Sequence, residues 1–299
     1  MISLRQKLAV ERLDARGEGL ARHDGAVVAV PYALPGDVVI VERDGPRATL
    51  VEIETPGPDR VAAFCPHYGV CGGCAVQALA PAAYARWKES LLAEALRRAG
   101  LETRPEPLLD AHGEGRRRAV FHARMEGGRA RAGFMAARSH DIVEIETCPV
   151  LEPRLAGAPL LARALATRLA GAGKPLDILV TATETGLDVD LRGHGPLGAD
   201  ATRALVGFAL RQDLARLSNH GAAVATARAP VVEIGQARLA LPPGAFLQAT
   251  RAGEEALAAQ AVAALRGARK VVDLFSGVGA FALRLAEFAN VRAVDVDGA

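Results

Sequence analysis

Three of the four cysteines in the sequence lie within ten residues, in the segment CPHYGVCGGC. Cys65, Cys71 and Cys74 follow the spacing C-x5-C-x2-C, and the two glycines of the C-x2-C pair allow both sulfur atoms to point at one ligand. Cys148, in the later segment ETCPV, supplies a fourth thiol. Four thiolates are the ligand set of tetrahedral zinc or of a [4Fe–4S] cluster, and spacing alone leaves both open. The cysteines therefore predict a metal site, in preference to four small buried hydrophobic side chains.

A glycine turn near the carboxyl end predicts a second site. The segment RKVVDLFSGVGAFALRLAEFANVRAVDVDGA reads as a strand, a turn, a helix and a second strand. The strands are predicted at 271–275 and 291–296, and the helix at 281–288. Gly277 and Gly279 make the turn and allow a ligand to approach the backbone closely.

Three carboxylates around this turn indicate the class of ligand. Asp273 lies four residues before the first glycine, where its charge would repel a pyrophosphate and attract a cation. S-adenosylmethionine carries a sulfonium and an ammonium and no phosphate, so the pattern favours this cofactor over a nicotinamide dinucleotide, which the weak G-x-G-x-x-A match also fits. Asp295 and Asp297, at the end of the second strand, can bind ribose hydroxyls.

A basic segment in the middle of the chain predicts contact with RNA. Between residues 111 and 140 there are seven arginines and two acidic residues, with aromatic rings interleaved. Positive charge for phosphates and rings for bases is how single-stranded RNA is held. A solvated basic hairpin is the alternative. The predicted RNA-binding residues are Arg116, Arg117, Arg118, Phe121 and His122.

The elements that position these sites divide the chain into three parts. Residues 1–60 contain short apolar runs separated by Gly, Pro and Asp turns, which predicts a five-stranded barrel of OB type. Residues 61–245 form a central domain that includes a helix over 80–100, begun by Pro81, and another near 151–171. Residues 246–299 contain a helix after Thr250 and then the glycine turn.

Composition excludes some classes of protein. The net charge of +2 argues for no class of partner, and no apolar run approaches the roughly 20 residues of a membrane span. The amino terminus becomes charged too early for a signal peptide. We therefore expect a cytoplasmic protein without a membrane partner, in which thiols stay reduced. We also expect a monomer.

With these pieces placed, the sequence resembles the bacterial iron–sulfur RNA uracil-5 methyltransferases, the 5-methyluridine family of 23S rRNA and tRNA. RGEGLARHDGAVVAVPYALPGDVVIVE looks like the TRAM barrel of that family, and CPHYGVCGGC with ETCPV is similar to its four-cysteine signature. GRRRAVFHAR and ARSHDIVEI look like its central RNA-binding domain. PPGAFLQAT and DLFSGVGAFAL are similar to its cofactor motifs.

The resemblance implies a fold and a set of ligands. The expected fold class is mixed α/β and β: an N-terminal OB-type (TRAM) barrel, a central α+β RNA-binding domain with a four-cysteine cluster site, and the start of a Rossmann-like class I methyltransferase domain. It implies a structural [4Fe–4S] cluster instead of zinc, S-adenosylmethionine as cofactor, and RNA as partner, rRNA in preference to tRNA. The cofactor-binding residues would be Gln248, Asp273, Phe275, Gly277, Gly279 and Asp295. Thr250 and Ala280 stand where the family commonly has asparagine, and these departures would reshape the cofactor contacts.

The resemblance also implies a covalent reaction. In the family a cysteine adds to C6 of uracil, C5 takes the methyl group, and a base removes the C5 proton so that the cysteine can leave. That cysteine and that base lie downstream of the cofactor motifs, and the four cysteines of this chain are all assigned to the metal. No catalytic residue is therefore predicted, and we expect a truncated, inactive gene product.

Two functions follow from this interpretation. The first is an S-adenosylmethionine-dependent RNA (uracil-C5) methyltransferase, of which this chain lacks the C-terminal catalytic part. The alternative is a catalytically inactive iron–sulfur fragment that binds RNA. A radical enzyme with a similar barrel is disfavoured, because its cluster uses C-x3-C-x2-C and leaves one iron without a protein ligand.

Overall fold

The computed structural model describes residues 4–44, 47–169 and 175–296. These residues fall into two compact units. The first unit comprises the residues up to 109 together with 135–141, and the second comprises 110–134 and the residues from 142 on. This division cuts the chain differently from the predicted segments 1–60, 61–245 and 246–299, which stay a prediction about domains.

The first unit begins with a closed five-stranded barrel, as the turn-separated apolar runs predicted. The strand order is β1-β2-β3-β5-β4. Alternate side chains, among them Leu8, Val10, Val28, Val39 and Val41, fill its interior. The strands are β1 (Leu4–Leu13), β2 (Gly19–His23), β3 (Ala26–Val30), β4 (Val38–Asp44) and β5 (Arg47–Thr55).

A single helix follows the barrel and the cysteine segment. Helix α1 (Pro81–Arg98) starts with Pro81 in its first turn, as predicted, because a proline there loses no helical hydrogen bond. It packs on the barrel unit through Ala83 and Trp87, which share a small core with Leu13 and Leu34. The indole nitrogen of Trp87 donates a hydrogen bond to the carbonyl of Asp14 at 3.2 Å, so the helix is fixed to the end of β1.

The second unit is built on a seven-stranded sheet of order β12-β11-β10-β9-β6-β7-β8. Strand β9 is antiparallel to both β6 and β10, whereas β10 and β11 run parallel. The strands are β6 (Arg118–Glu126), β7 (Arg129–Met135), β8 (Ile142–Glu144), β9 (Leu176–Thr183), β10 (Gly186–Arg192), β11 (Arg216–Asn219) and β12 (Ala222–Thr226). Helices α2 (Ala158–Leu169) and α3 (Ala199–Arg211) contribute Leu161, Leu165, Leu205 and Phe208 to the core on one face of this sheet.

The last elements carry the predicted cofactor motifs. They are the hairpin β13 (Val231–Ile234) and β14 (Ala237–Ala240), helix α4 (Arg251–Ala264), strand β15 (Lys270–Leu274), helix α5 (Ala282–Leu285) and strand β16 (Asn290–Val294). The Thr250 hydroxyl caps α4 by accepting a hydrogen bond from the N–H of Gly253.

The predicted Rossmann-like domain is only partly present in the described residues. Strands β15 and β16 pair in parallel, as the sequence predicted. The helix between them has four residues, however, and not the eight predicted for 281–288, because a turn follows Leu285. Two strands and one short helix do not establish a doubly wound sheet, so the Rossmann assignment is not confirmed. No helix in the described part of the chain is both long and apolar enough to cross a membrane.

Candidate cofactor and metal sites

The cysteine segment is fixed to its own unit by its backbone. Cys71 forms an isolated antiparallel bridge with Ala136, and the N–H of Gly72 donates to the carbonyl of Met135 at 2.9 Å. A Cβ atom on Gly72 would lie 2.9 Å from that same oxygen, so the close approach requires glycine. The Tyr32 hydroxyl donates to the carbonyl of Cys71 at 3.0 Å.

The thiols of this segment influence one another and the neighbouring tyrosine. Burial raises the pKa of the Cys71 thiol, the charge of Cys65 raises it further, and a hydrogen bond from the N–H of Gly73 opposes both. Burial, followed by the charges of Cys71, Tyr68 and Cys74, raises the pKa of Tyr32 to about 12. The Cys71 and Cys74 thiols are therefore close enough to influence Tyr32, and Cys65 is close enough to influence Cys71.

The structure does not support the predicted metal centre. None of the four cysteines, all of them in the described part of the chain, forms a disulfide. Within the described ranges, no group of three or more His, Cys, Asp or Glu side chains is placed to hold a metal ion. Cys148 belongs to the second unit, where it packs against the large core to which α2 and α3 contribute. Spacing showed which thiols could be ligands, but convergence depends on backbone contacts that spacing does not specify.

The glycine turn has the open geometry that a ligand needs. Gly277 and Gly279 have φ angles of +53° and +84°, which side chains rarely adopt. Nothing lies within 4 Å of the position that a Cβ atom on Gly277 would occupy, so the space in front of the turn is open. The N–H of Gly277 donates to Oδ2 of Asp295 at 2.7 Å, which holds the end of β16 against the turn. Asp297 lies outside the described residues.

Asp273 has a buried oxygen atom near this turn, Oδ2, that has no hydrogen-bond partner among the described residues. A buried carboxylate oxygen without a partner is costly unless a ligand satisfies it, and a cation does so best. The residues present therefore fit the cationic cofactor predicted from the sequence. Phe275, two residues on, is 82% exposed and has a φ of +58°, which is strained for an aromatic residue.

The second cofactor motif lies against the same turn. Leu247, next to Gln248, is buried in a small core with Val232, Ile234 and Leu241, and Val278 of the glycine turn packs against it. The structure thus brings together two segments of the predicted site that are separated by a helix in the sequence.

The predicted RNA-binding residues separate onto two faces of β6 because side chains alternate along a strand. Phe121 is 0% exposed and stacks on Phe134 with ring centroids 5.2 Å apart. Arg117, just before the strand, is 1% exposed and ion-paired with Glu254. Neither side chain is presented to a ligand, so these two predicted RNA contacts are corrected to core residues.

The remaining three lie on the opposite, accessible side. Arg116 is exposed, and Arg118 and His122 are partly exposed. His122 Nδ1 lies 2.7 Å from Oδ1 of Asp177 on the neighbouring strand. Burial, and then the nearby charge of Arg192, lower the pKa of Arg118. Arg192 is itself ion-paired with Asp190, whose Oδ2 atom lies 3.0 Å from the Nε atom of Arg192.

Two further residues of the site were missed from the sequence. The sequence patterns single out neither Glu254 nor Arg284. In the structure Glu254 is 1% exposed, and each of its oxygens accepts from a different arginine, Arg117 or Arg284. A buried glutamate can be recognised from sequence only if its partners are known, and here they lie in distant segments.

Comparison with known proteins identifies the family. The model of the TRAM domain matches residues 5–42. An uncharacterized RNA methyltransferase of Caulobacter vibrioides is 45% identical over 97% of this chain and 72% of its own length. The 23S rRNA (uracil(1939)-C(5))-methyltransferase of Alkalilimnicola ehrlichii is 34% identical over 98% of this chain and 70% of its own length. This chain belongs to the RNA uracil-C5 methyltransferase family.

A solved structure shares the fold. It is the crystal structure of Pyrococcus abyssi tRNA (uracil-54, C5)-methyltransferase in complex with S-adenosyl-L-homocysteine. The TM-score is 0.68 at 20% identity, over 97% of this chain and 73% of that chain. The family resemblance inferred from the sequence is thus confirmed. The truncated and inactive gene product is not supported by these relatives, and neither is the iron–sulfur cluster.

Proposed function

We propose that the protein is an S-adenosylmethionine-dependent RNA (uracil-C5) methyltransferase that acts on ribosomal RNA. The observation that carries this proposal is the core shared by Leu247 and Val278, which places the Gln248 segment against the glycine turn. Relatives named as 23S rRNA methyltransferases support the substrate. Nothing favours the alternative of an inactive iron–sulfur fragment.

The cofactor, when bound, supplies the methyl group. In this proposal the buried oxygen of Asp273 binds the positive charge of the cofactor. The turn at Gly277 and Gly279 lets the cofactor approach the backbone closely. Phe275 offers an exposed ring beside the turn, and Gln248 lies on the facing segment. Asp295 fixes the turn through the N–H of Gly277, at the end of the strand where a ribose hydroxyl would bind.

The RNA is proposed to contact the side of β6 that carries Arg116, Arg118 and His122. Phosphates would lie near the guanidinium groups of Arg116, which is exposed, and Arg118, which is partly exposed. Replacing Arg116 and Arg118 with alanine should weaken binding to an rRNA fragment. The slope of the logarithm of the binding constant against the logarithm of the salt concentration should fall in magnitude by about two. The matched control is Arg203→Ala, an exposed arginine on α3. Equal salt slopes for all three proteins would contradict this surface.

The activity itself is tested with protein purified from the cells that make it. Labelled S-adenosylmethionine and 23S rRNA transcripts should give 5-methyluridine after digestion of the RNA. Label on cytosine, or on tRNA in preference to rRNA, would contradict the proposed reaction or its substrate.

The [4Fe–4S] cluster is proposed on the chemistry of its donor set alone, since the four cysteines form no disulfide and thiolates are the ligands of such a cluster. No step of the reaction is assigned to it. Iron and sulfide analysis with an anaerobic absorbance spectrum tests it, with Cys148→Ser as the comparison. Protein that contains neither metal nor sulfide, or zinc instead, would remove the cluster from the proposal.

A further inference from the structure

A buried ionic network joins the two halves of the predicted cofactor site. Glu254 lies in the first turn of α4, and its two carboxylate oxygens accept from two arginines. Nη2 of Arg117 lies 2.5 Å from Oε2, and Nη1 of Arg284 lies 3.2 Å from Oε1. The side chains of Arg117 and Glu254 are each 1% exposed, and that of Arg284 is 13% exposed.

Each arginine holds the backbone of a different cofactor segment. Nε of Arg117 donates to the carbonyl of Gln248 at 3.1 Å, and its backbone N–H donates to the carbonyl of Ala249 at 2.9 Å. Nη1 of Arg284 donates to the carbonyl of Ala280 at 2.7 Å, directly after the Gly277–Gly279 turn. Glu254 is therefore the one group in this described network that contacts both Arg117 and Arg284.

We propose that Glu254 is a positioning residue for the cofactor. Its carboxylate couples the Gln248 segment to the glycine turn, so that both reach the ligand in one fixed arrangement. This inference rests on the proposed function, because it assigns the network to the same S-adenosylmethionine site. Glu254 itself touches neither the turn nor Gln248; it acts through the two arginines.

The charge of the carboxylate is what the network requires. Two guanidinium groups that face each other in the interior repel, and only an anion between them makes both positions favourable. A neutral amide of the same shape would accept from one arginine and present an N–H to the other. Glu254→Gln should therefore break the interaction with Arg117, with Arg284 or with both, while the volume of the side chain stays nearly the same.

The test combines two measurements on Glu254→Gln and on the matched control Glu255→Gln, whose side chain is exposed on the same helix turn. Amide hydrogen exchange is followed in the segments 244–250 and 276–285 without ligand. Binding of S-adenosylhomocysteine is measured by calorimetry. We expect faster exchange in both segments and a dissociation constant raised by about tenfold or more for Glu254→Gln, with no change for Glu255→Gln.

A second variant covers the case in which Glu254→Gln does not fold. Arg284→Gln removes one arm only, so exchange should rise in 276–285 and stay unchanged in 244–250, again with weaker binding of S-adenosylhomocysteine. A purely structural role would lower the melting temperature without this segment-specific pattern.

The outcomes separate this inference from the function on which it rests. Unchanged exchange in both segments overturns the coupling, and faster exchange with unchanged affinity overturns the positioning role. If the wild-type protein does not bind S-adenosylhomocysteine, the proposed cofactor falls and the positioning role with it, whereas the exchange data still show whether Glu254 couples the segments.

Discussion

The Tyr32 hydroxyl and the Cys71 carbonyl are joined by a 3.0 Å hydrogen bond between the barrel and the cysteine segment. Tyr32 has a φ of +65°, a conformation that bulky residues seldom adopt, and its ring packs edge-to-face on Tyr68 with centroids 5.3 Å apart. Tyr68 in turn donates from its hydroxyl to the carbonyl of Ala75, just beyond Cys74. Two tyrosines thus hold the ends of the C-x2-C pair.

Replacing Tyr32 with phenylalanine should loosen this segment without disturbing the barrel core. The loss of one partly buried hydrogen bond should lower the free energy of unfolding by about 1 kcal/mol. Cys71 should react faster with a thiol reagent, measured by mass spectrometry of the labelled peptide. Tyr84→Phe on α1 is the control, and equal labelling rates in the two variants would contradict the role of Tyr32.

Asp37 stabilises the turn after β3 through its hydrogen bonds, and replacing it should lower the stability of the first unit. Its carboxylate accepts from the N–H groups of Leu34 and Gly57 and from Nε and Nη2 of Arg60. Asp37→Asn leaves the partly buried Arg60 without its counter-charge and a buried amide in place of the carboxylate, so we expect a loss of about 3–5 kcal/mol in the free energy of unfolding, measured by chemical denaturation. Asp24→Asn, at an exposed turn, should change the free energy of unfolding by less than about 0.5 kcal/mol.

The same carboxylate should make the barrel unit sensitive to acid. Burial alone would raise the pKa of Asp37, but the hydrogen bonds from Arg60, Gly57 and Leu34 outweigh it and hold the pKa below its usual value. A folded-state pKa below the unfolded value, about 3.9, means that the stabilisation is complete above that pH. It is lost as the pH falls through the folded pKa. Calorimetric melting between neutral and acid pH should show this loss in the wild type and a smaller one in Asp37→Asn.

Asp273 should distinguish ligands by charge. S-adenosylmethionine carries a sulfonium that S-adenosylhomocysteine lacks, so removal of the buried carboxylate should affect the former more. For Asp273→Asn we expect binding of S-adenosylmethionine to weaken by about tenfold, and that of S-adenosylhomocysteine by less. Calorimetry on both ligands measures the difference, with Asp200→Asn on α3 as control. Equal losses for the two ligands would mean that Asp273 does not contact the sulfonium.

Arg116 and Arg117 should behave differently although they are adjacent. Arg117→Ala leaves Glu254 facing Arg284 alone and removes the bond to Gln248, so we expect a loss of about 3–5 kcal/mol in the free energy of unfolding. Arg116→Ala should stay within about 0.5 kcal/mol because its side chain is exposed. Denaturation followed by circular dichroism compares them, and similar losses would contradict the assignment of Arg117 to the core.

Local patterns predicted the elements well. The turn-separated runs of residues 8–60 gave the barrel, Pro81 gave the start of α1, and Gly277 with Gly279 gave the turn, because each signal acts within a few residues. The alternation in RRRAVFHAR also predicts that Arg117 and Phe121 point away from the RNA surface, since residues 117, 119, 121 and 123 share one face of an extended segment. Charge and aromatic content predict one continuous RNA surface, whereas this two-residue period divides the same residues between two faces.

Long-range contacts were harder to predict. The partners of Glu254 lie 137 and 30 residues away in the chain, and no local pattern connects them. The positions of the cysteine sulfur atoms also depend on long-range contacts. Their spacing specified a possible ligand set, whereas backbone contacts such as Gly72 with Met135 decide where the sulfur atoms lie.

The indole of Trp87 gives this molecule a built-in optical reporter. The chain contains a single tryptophan, and it sits where α1 meets the barrel. The wavelength of its fluorescence emission should therefore shift when the first unit unfolds, and it should stay unchanged when only the second unit unfolds. Comparing that emission with an ellipticity signal, to which both units contribute, would reveal whether the RNA methyltransferase melts as one cooperative body or in two stages.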